Sequence, residues 1–247
     1  MNGGRFSNSA VSLNGVVYSV GGRDGINELS TAECYDPVDK QWKDIAPMNN
    51  SRIDFGICTY DGLVYVVGGN ENSKVESYDP ATNKWRLCQN IPEPHVDTYY
   101  DRATVAENTI YILTPATNGS EVLHRFDPRD RMWYKLNEMP ATPVRYEFMS
   151  YDRVLFAIGD SECKRLDIRV NKWEPMSHML SNRNGFSAVI AGKYIYVLGG
   201  RKEYSLQWIT SVERFNICNN EWTIVDSLEM ECFDGRAAVL SGEFDFN

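Results

Sequence analysis

Arginine recurs at a set place in this chain. Arg5, Arg52 and Arg183 each lie thirteen residues before the central Tyr of an apolar, β-branched run, at Tyr18, Tyr65 and Tyr196. Arg102 lies nine residues before Tyr111, Arg145 holds an intermediate place before Phe156, and Arg236 stands just ahead of the last apolar run. Guanidiniums gathered at one mouth would grip carboxylates or phosphates bidentately, which suits an acidic or phosphorylated peptide. The competing reading is internal: the arginines pair with Asp54, Asp101, Asp234 and Glu147, or bond to neighbouring carbonyls. Four aromatic residues, Tyr99, Tyr100, Tyr204 and Trp208, are candidate interface anchors. For Tyr204 and Trp208 a local cap over the adjoining strands is the other reading.

Catalytic constellations are harder to assemble. The three histidines, His95, His124 and His178, fall in different segments and do not converge on a metal by spacing. No Ser-His-Asp or Cys-His spacing stands out, and no Gly pair is followed by a nucleotide-binding pattern. The chain is therefore expected to be non-catalytic, with no cofactor and no metal. Asp36, Asp79 and Asp127 are read as residues that cap their own turns.

These side chains must be positioned by a repeat. Tyr35-Asp36, Tyr78-Asp79, Phe126-Asp127, Leu166-Asp167 and Phe215-Asn216 are each followed by Trp six residues after the Asp or Asn. The intervals between successive Trp residues are 43, 48, 40 and 49. A fixed core with elastic spacers marks units that bury their faces against one another. In the second unit Gly56–Tyr60 and Leu63–Val67 flank the turn signal Asp61-Gly62, Val75–Tyr78 follows, and Lys84–Leu87 ends it. Four such strands repeated about an axis predict an all-β propeller, each Trp lying between neighbouring sheets. The Gly pairs Gly21-Gly22, Gly68-Gly69 and Gly199-Gly200 end the second strand of their units. Thr114-Pro115 replaces the pair in the third unit, which predicts an altered loop there.

The 247 residues are read as one domain, with units near 5–50, 51–93, 94–141, 142–179 and 180–230 and a further inner strand at 235–241. The formal net charge of -9 disfavours nucleic acid and anionic membrane, both of which reward a positive field. No apolar run has the length of a membrane span, and residues 1–5 lack the stretch of a signal peptide. Six scattered cysteines are expected as free thiols in a reducing compartment, so the chain is expected in the cytoplasm, with the nucleus also open.

Val67-Gly68-Gly69, Glu76-Ser77-Tyr78-Asp79-Pro80 and Trp85 together resemble the Kelch repeat. Glu33-Cys34-Tyr35-Asp36-Pro37 with Trp42 is a second close copy, and Glu213-Arg214-Phe215-Asn216 with Trp222 a third. The third and fourth units depart, with His124 and Lys164 at the Glu position. The style of the units is similar to that of the BTB-Kelch adaptors. That resemblance implies a propeller that holds a protein or peptide substrate for a cullin-RING ubiquitin ligase, engaged through a BTB region that this chain does not contain. The alternative is a Kelch scaffold for actin or other cytoskeletal proteins without a ubiquitin role. In the resembled family the last strand commonly closes the ring, so two counts fit: a five-bladed ring, or part of a six-bladed parent. The resemblance also implies that peptides bind the face carrying the loops that precede the first and follow the second strand of each unit.

Overall fold

The structure is a computed structural model that describes all residues except 70–72, 93–100, 117–118, 141–145, 161, 203–204, 206 and 240–247. Among the described residues, strands form five four-stranded antiparallel sheets. Blade 1 comprises β1 (Ser9–Leu13), β2 (Val16–Val20), β3 (Ala32–Asp36) and β4 (Gln41–Ile45). Blade 2 comprises β5 (Gly56–Tyr60), β6 (Leu63–Val67), β7 (Val75–Asp79) and β8 (Lys84–Leu87). Blade 3 comprises β9 (Arg102–Ala106), β10 (Thr109–Pro115), β11 (Glu121–Asp127) and β12 (Met132–Met139). Blade 4 comprises β13 (Tyr146–Tyr151), β14 (Val154–Gly159), β15 (Cys163–Asp167) and β16 (Lys172–Pro175). Blade 5 comprises β17 (Ser187–Ala191), β18 (Tyr194–Leu198), β19 (Ser211–Asn216) and β20 (Glu221–Ser227). Each sheet is a simple meander, and β1, β5, β9, β13 and β17 are successive neighbours around the axis.

Burial follows position. In β6, Val64, Tyr65, Val66 and Val67 are all buried because both faces of the blade are covered, whereas outer β8 is mostly exposed. Four apolar clusters fill the seams between blades 1 and 2, 2 and 3, 3 and 4, and 4 and 5. Each fully buried aliphatic or aromatic side chain in them stabilises the fold by about 1.5–3 kcal/mol. In blades 2, 3 and 5 the outer-strand Trp packs against the preceding blade, and its indole N–H donates to that blade's chain. Trp85 bonds the Ala46 carbonyl (2.7 Å), Trp133 that of Gln89 (3.2 Å) and Trp222 that of Ser177 (2.9 Å). Of the five only Trp222 is buried, the other four being half-buried, which departs from the expectation; Trp42 packs at a tilt on Tyr35, and the Trp173 indole nitrogen meets no acceptor among the described residues.

The invariant Asp or Asn before each Trp closes the turn between the third and fourth strands. Asp36, Asp79, Asp127, Asp167 and Asn216 each accept, through Oδ1, the backbone N–H two residues on. Glycine ends the second strand because the chain there is left-handed and crowded: Gly21 has φ 62°, and a Cβ would lie 2.8 Å from the Arg52 carbonyl oxygen. In the third unit, where Thr114-Pro115 replaces the pair, β10 instead runs on through Pro115 and pairs with Glu121.

The inner strand expected at 235–241 is not formed. Residues 235–239 lie in no strand, and 240–241 fall outside the described residues. A strand needs a neighbour to satisfy its backbone groups, and the contact recorded here is to a side chain: the Ala237 N–H donates to Ser187 Oγ at 2.8 Å. The segment is nevertheless tied to blade 5, since Gly200 donates to the Cys232 carbonyl and Asp234 to that of Gly185.

Candidate interaction face around the central channel

The chain enters every inner strand from the same face on which the second strand ends, so the loops between blades and the loops after β2, β6, β10, β14 and β18 surround one mouth of the channel. The arginines expected at that mouth divide into two groups.

Arg5, Arg52 and Arg183 turn away from it, and this corrects their assignment to a peptide. The Arg52 guanidinium donates to the Gly68 carbonyl (2.5 Å), the Lys74 carbonyl (2.7 Å) and Glu76 Oε1 (2.8 Å), and both charged side chains are fully buried. Arg183 repeats this with Gly199 (3.1 Å), Ser211 (2.8 Å) and Glu213 (2.6 Å), and Arg5 with Gly21 (3.0 Å), Thr31 (2.9 Å) and Glu33 (2.6 Å). The partner is thus the Glu of the repeat motif, not Asp54, Asp101, Asp234 or Glu147. The same carboxylates hold the loop entering the blade: Glu76 accepts from the Asn49 N–H and the Asn50 side chain, and Glu213 from the Leu180 and Ser181 N–H groups. Burial pushes the Glu76 carboxyl up, but the bonds from Arg52, Asn50 and Asn49 outweigh it and hold the group below the usual carboxylate range. The constant Arg-to-Tyr spacing was a sound signal of a repeated role; the recurring Glu would have revealed that the role is internal.

Arg102 and Arg236 do reach the mouth. Arg102 Nε donates to the Tyr146 carbonyl at 3.1 Å and lies 3.9 Å from Glu147, and Arg236 lies 3.6 Å from the other oxygen of Glu147. Burial pushes the Arg236 guanidinium below its ordinary value, while Glu147 pulls it up. Asp54 faces the pair; burial raises its carboxyl, and Arg102 and Arg236 oppose that shift. The channel beneath holds a cavity of about 110 Å³, to which Ser9 and Ala10, Phe55 and Ile57, Arg102 and Ala103, Glu147 and Phe148, Ser187 and Ala188, and Arg236 and Ala237 contribute.

On the same face, Trp208 stays 39% exposed while its ring meets Phe233 edge-on, with centroids 6.0 Å apart. The Arg201 guanidinium covers the Phe233 ring at 4.2 Å. Trp208 therefore caps a local aromatic cluster and still presents surface. Tyr99, Tyr100, Arg145 and Tyr204 lie outside the described residues. Sequence reading missed Phe233, which carries no repeat signature, while Glu147 is among the carboxylates it named as internal partners of the arginines, and here it stands between Arg102 and Arg236.

Nearby, Asp101 is wholly buried and accepts the Gly69 N–H at 2.7 Å, in the place that a backbone carbonyl takes at Gly22 and Gly200. Burial pushes its carboxyl up to about 8, and that of Glu121, bonded to the Tyr146 hydroxyl, up to about 7. All six thiols are free. Burial pushes those of Cys58 and Cys163 up to about 12, so neither is a thiolate nucleophile near neutrality.

Five four-stranded blades, Gly-ended second strands and Arg–Glu locks define a propeller of repeated motifs. The family model described as "Kelch motif" matches residues 4–49, 51–92 and 182–229, more than half of the chain, which belongs to that family. It is a fold type that generally serves as a non-catalytic protein-interaction module. Among curated proteins the chain is 26% identical to "Kelch-like protein 25" of Xenopus tropicalis, over 89% of its own length and 40% of that protein's. It is 28% identical to "Kelch-like protein 36" of Mus musculus (76% and 34%) and 26% identical to "Kelch-like protein 23" of Homo sapiens (91% and 33%). The chain thus spans less than half the length of these relatives. A solved structure titled "Structure of YjhT" superposes with a TM-score of 0.78 at 17% identity, covering 95% of this chain and 87% of that one, a likeness of fold alone.

Proposed function

We propose that this propeller is the substrate-recognition part of a BTB-Kelch adaptor for a cullin-RING ubiquitin ligase, and that it binds a protein segment at the channel mouth. The observation that carries the reading is the convergence on one face of Arg102, Arg236, Glu147 and the exposed ring of Trp208 on a rigid scaffold. Two guanidiniums bridged by one carboxylate suit an acidic segment that displaces Glu147 from them. The relatives are Kelch-like proteins by name, and the share of their length that the chain spans leaves room in them for a ligase-binding region.

The ring itself reads as six-sectored. Six segments line the channel, the last of them Arg236 and Ala237.

Affinity capture from cell extract tests the binding face, comparing wild type with Trp208→Ala, with Arg236→Gln and with Val38→Ser on the opposite face, where Val38 is 81% exposed. Specific partners should be lost from the first two variants and retained by the third. Partners lost only with Val38→Ser would place binding on the other face and overturn the proposal. Co-purification of a cullin with the full-length parent tests the ligase role separately.

A further inference from the structure

The seam between blades 2 and 3 is built differently from its neighbours. The residue before the outer strand is Asn83 in blade 2, Asn171 in blade 4 and Asn220 in blade 5, each left-handed and each bonded to the outer strand of the preceding blade or to the residues just after it. Asn83 Oδ1 accepts the Ala46 N–H at 2.8 Å, the Asn171 carbonyl accepts from the Asn137 side chain, and the Asn220 carbonyl accepts from Ser177 Oγ at 2.8 Å. Asn is among the residues that adopt this conformation most readily. Blade 3 has Arg131 there, still at φ 59°, and among the described residues its side chain makes no bond across the seam.

Where the clamp is missing, a cavity of about 480 Å³ opens, within the range of small-molecule sites. Its apolar wall includes Tyr65, Leu87 and Phe126, and Leu87 is 61% exposed. Two arginines, Arg86 and Arg131, line it, and no carboxylate does. Neither guanidinium makes a hydrogen bond or ion pair among the described residues. The charge of Arg86 is felt by Asp79, but that carboxylate is already committed to Thr82 and the Ala81 N–H. Burial raises the Cys88 thiol, so it supplies no compensating negative charge. In a chain of net charge -9, whose other rim arginines Arg129 and Arg169 are paired, two uncompensated guanidiniums beside an apolar pocket form a distinct chemistry.

We infer that this seam is a binding site for a small organic anion, a carboxylate or phosphate carried on an aromatic or aliphatic body. The anion takes the guanidinium forks of Arg86 and Arg131, and the body takes the space beside Tyr65, Leu87 and Phe126. A pocket of this volume between two blades, open to solvent at Leu87, fits a compact molecule better than an extended chain. The site is separate from the channel mouth, because Arg131 lies in the turn on the opposite face, and it stands independently of the function proposed there.

Titration calorimetry with phenyl phosphate and with inorganic phosphate tests it, on wild type, Arg86→Gln and Arg131→Asn. Phenyl phosphate should bind one site per chain at least about tenfold more tightly than inorganic phosphate, and each substitution should weaken it at least about tenfold. Arg131→Asn should also melt no lower than wild type, since the Arg131 side chain makes no bond across the seam among the described residues and Asn adopts its left-handed backbone readily; this separates loss of the site from loss of the fold. Phenyl phosphate binding no better than inorganic phosphate, or binding undiminished by both substitutions, overturns the proposal. Binding of an acetylated Asp-Phe amide without binding of phenyl phosphate also overturns it, and would make the occupant a protein segment.

Discussion

Arg52→Ala should unfold this propeller at a markedly lower temperature. Arg52 makes three hydrogen bonds, two to the carbonyls that flank the Gly68-Gly69 loop and one to Glu76, and the pair is fully buried. Removing the cation strands a buried carboxylate that retains only its Asn49 and Asn50 donors. Breaking such a pair from one side costs about 3–5 kcal/mol, most of it from the uncompensated charge. For a domain of this size each kcal/mol lowers the melting temperature by about 2–4 °C, so a fall of about 10 °C is expected. Scanning calorimetry should register it, with Arg129→Ala as a control that leaves the melt unchanged because Arg129 is largely exposed. A second arm isolates the charge: in Arg52→Met with Glu76→Gln the stranded anion is absent, and a good part of the loss should be recovered. A melt for Arg52→Ala within about 2 °C of wild type would refute the lock as the arginine's main role.

Three further outcomes are expected. Asp101 and Glu121 have folded-state values raised to about 8 and about 7, so the native state holds protons that the unfolded chain has released. The stability they give is full below about pH 4 and is lost as pH rises through 7 to 8, by on the order of 1 kcal/mol per pH unit for each group; denaturant melts should weaken over that window, and Asp101→Asn should flatten the slope. Trp222→Ala should cost about 3–5 kcal/mol, because Trp222 is buried in the seam between blades 4 and 5, while Trp42→Ala should cost clearly less by the same urea titration. Gly68→Ala should destabilise by on the order of 1–3 kcal/mol, since φ there is +67° and a Cβ would collide with the Asp101 carboxyl; hydrogen exchange at Gly69 should quicken accordingly.

The blades were legible in the sequence because their signals are local. A Gly-ended apolar run, an Asp that bonds two residues ahead and a Trp six residues later each act within one unit, so their spacing survives any change in the spacers. The candidate site was legible only in part. Arg102 and Arg236 were placed correctly near the mouth, but the same residue type at Arg5, Arg52 and Arg183 is consumed inside the blade by a Glu 24 to 30 residues later. The Glu that recurs only in those three units was the available signal; the register that brings it to the incoming arginine is a three-dimensional fact. The terminal run near Ala237 read as a strand because its residues suit one; strand formation depends on a neighbour, and no composition reveals whether the neighbour is there.

The four apolar seams have a consequence for how the molecule comes apart. Among the described residues no apolar cluster joins blade 5 to blade 1. Among those residues the apolar seams therefore join the five blades as a row with two ends, like a linear repeat protein, whatever their circular arrangement in space. Blades 2, 3 and 4 are each gripped on two sides, and blades 1 and 5 on one. Opening should begin at those ends and travel inward, so amide protection should climb from β2 and β18 toward β10. Any polypeptide that joined the two ends would convert the row into a loop and stabilise the end blades most.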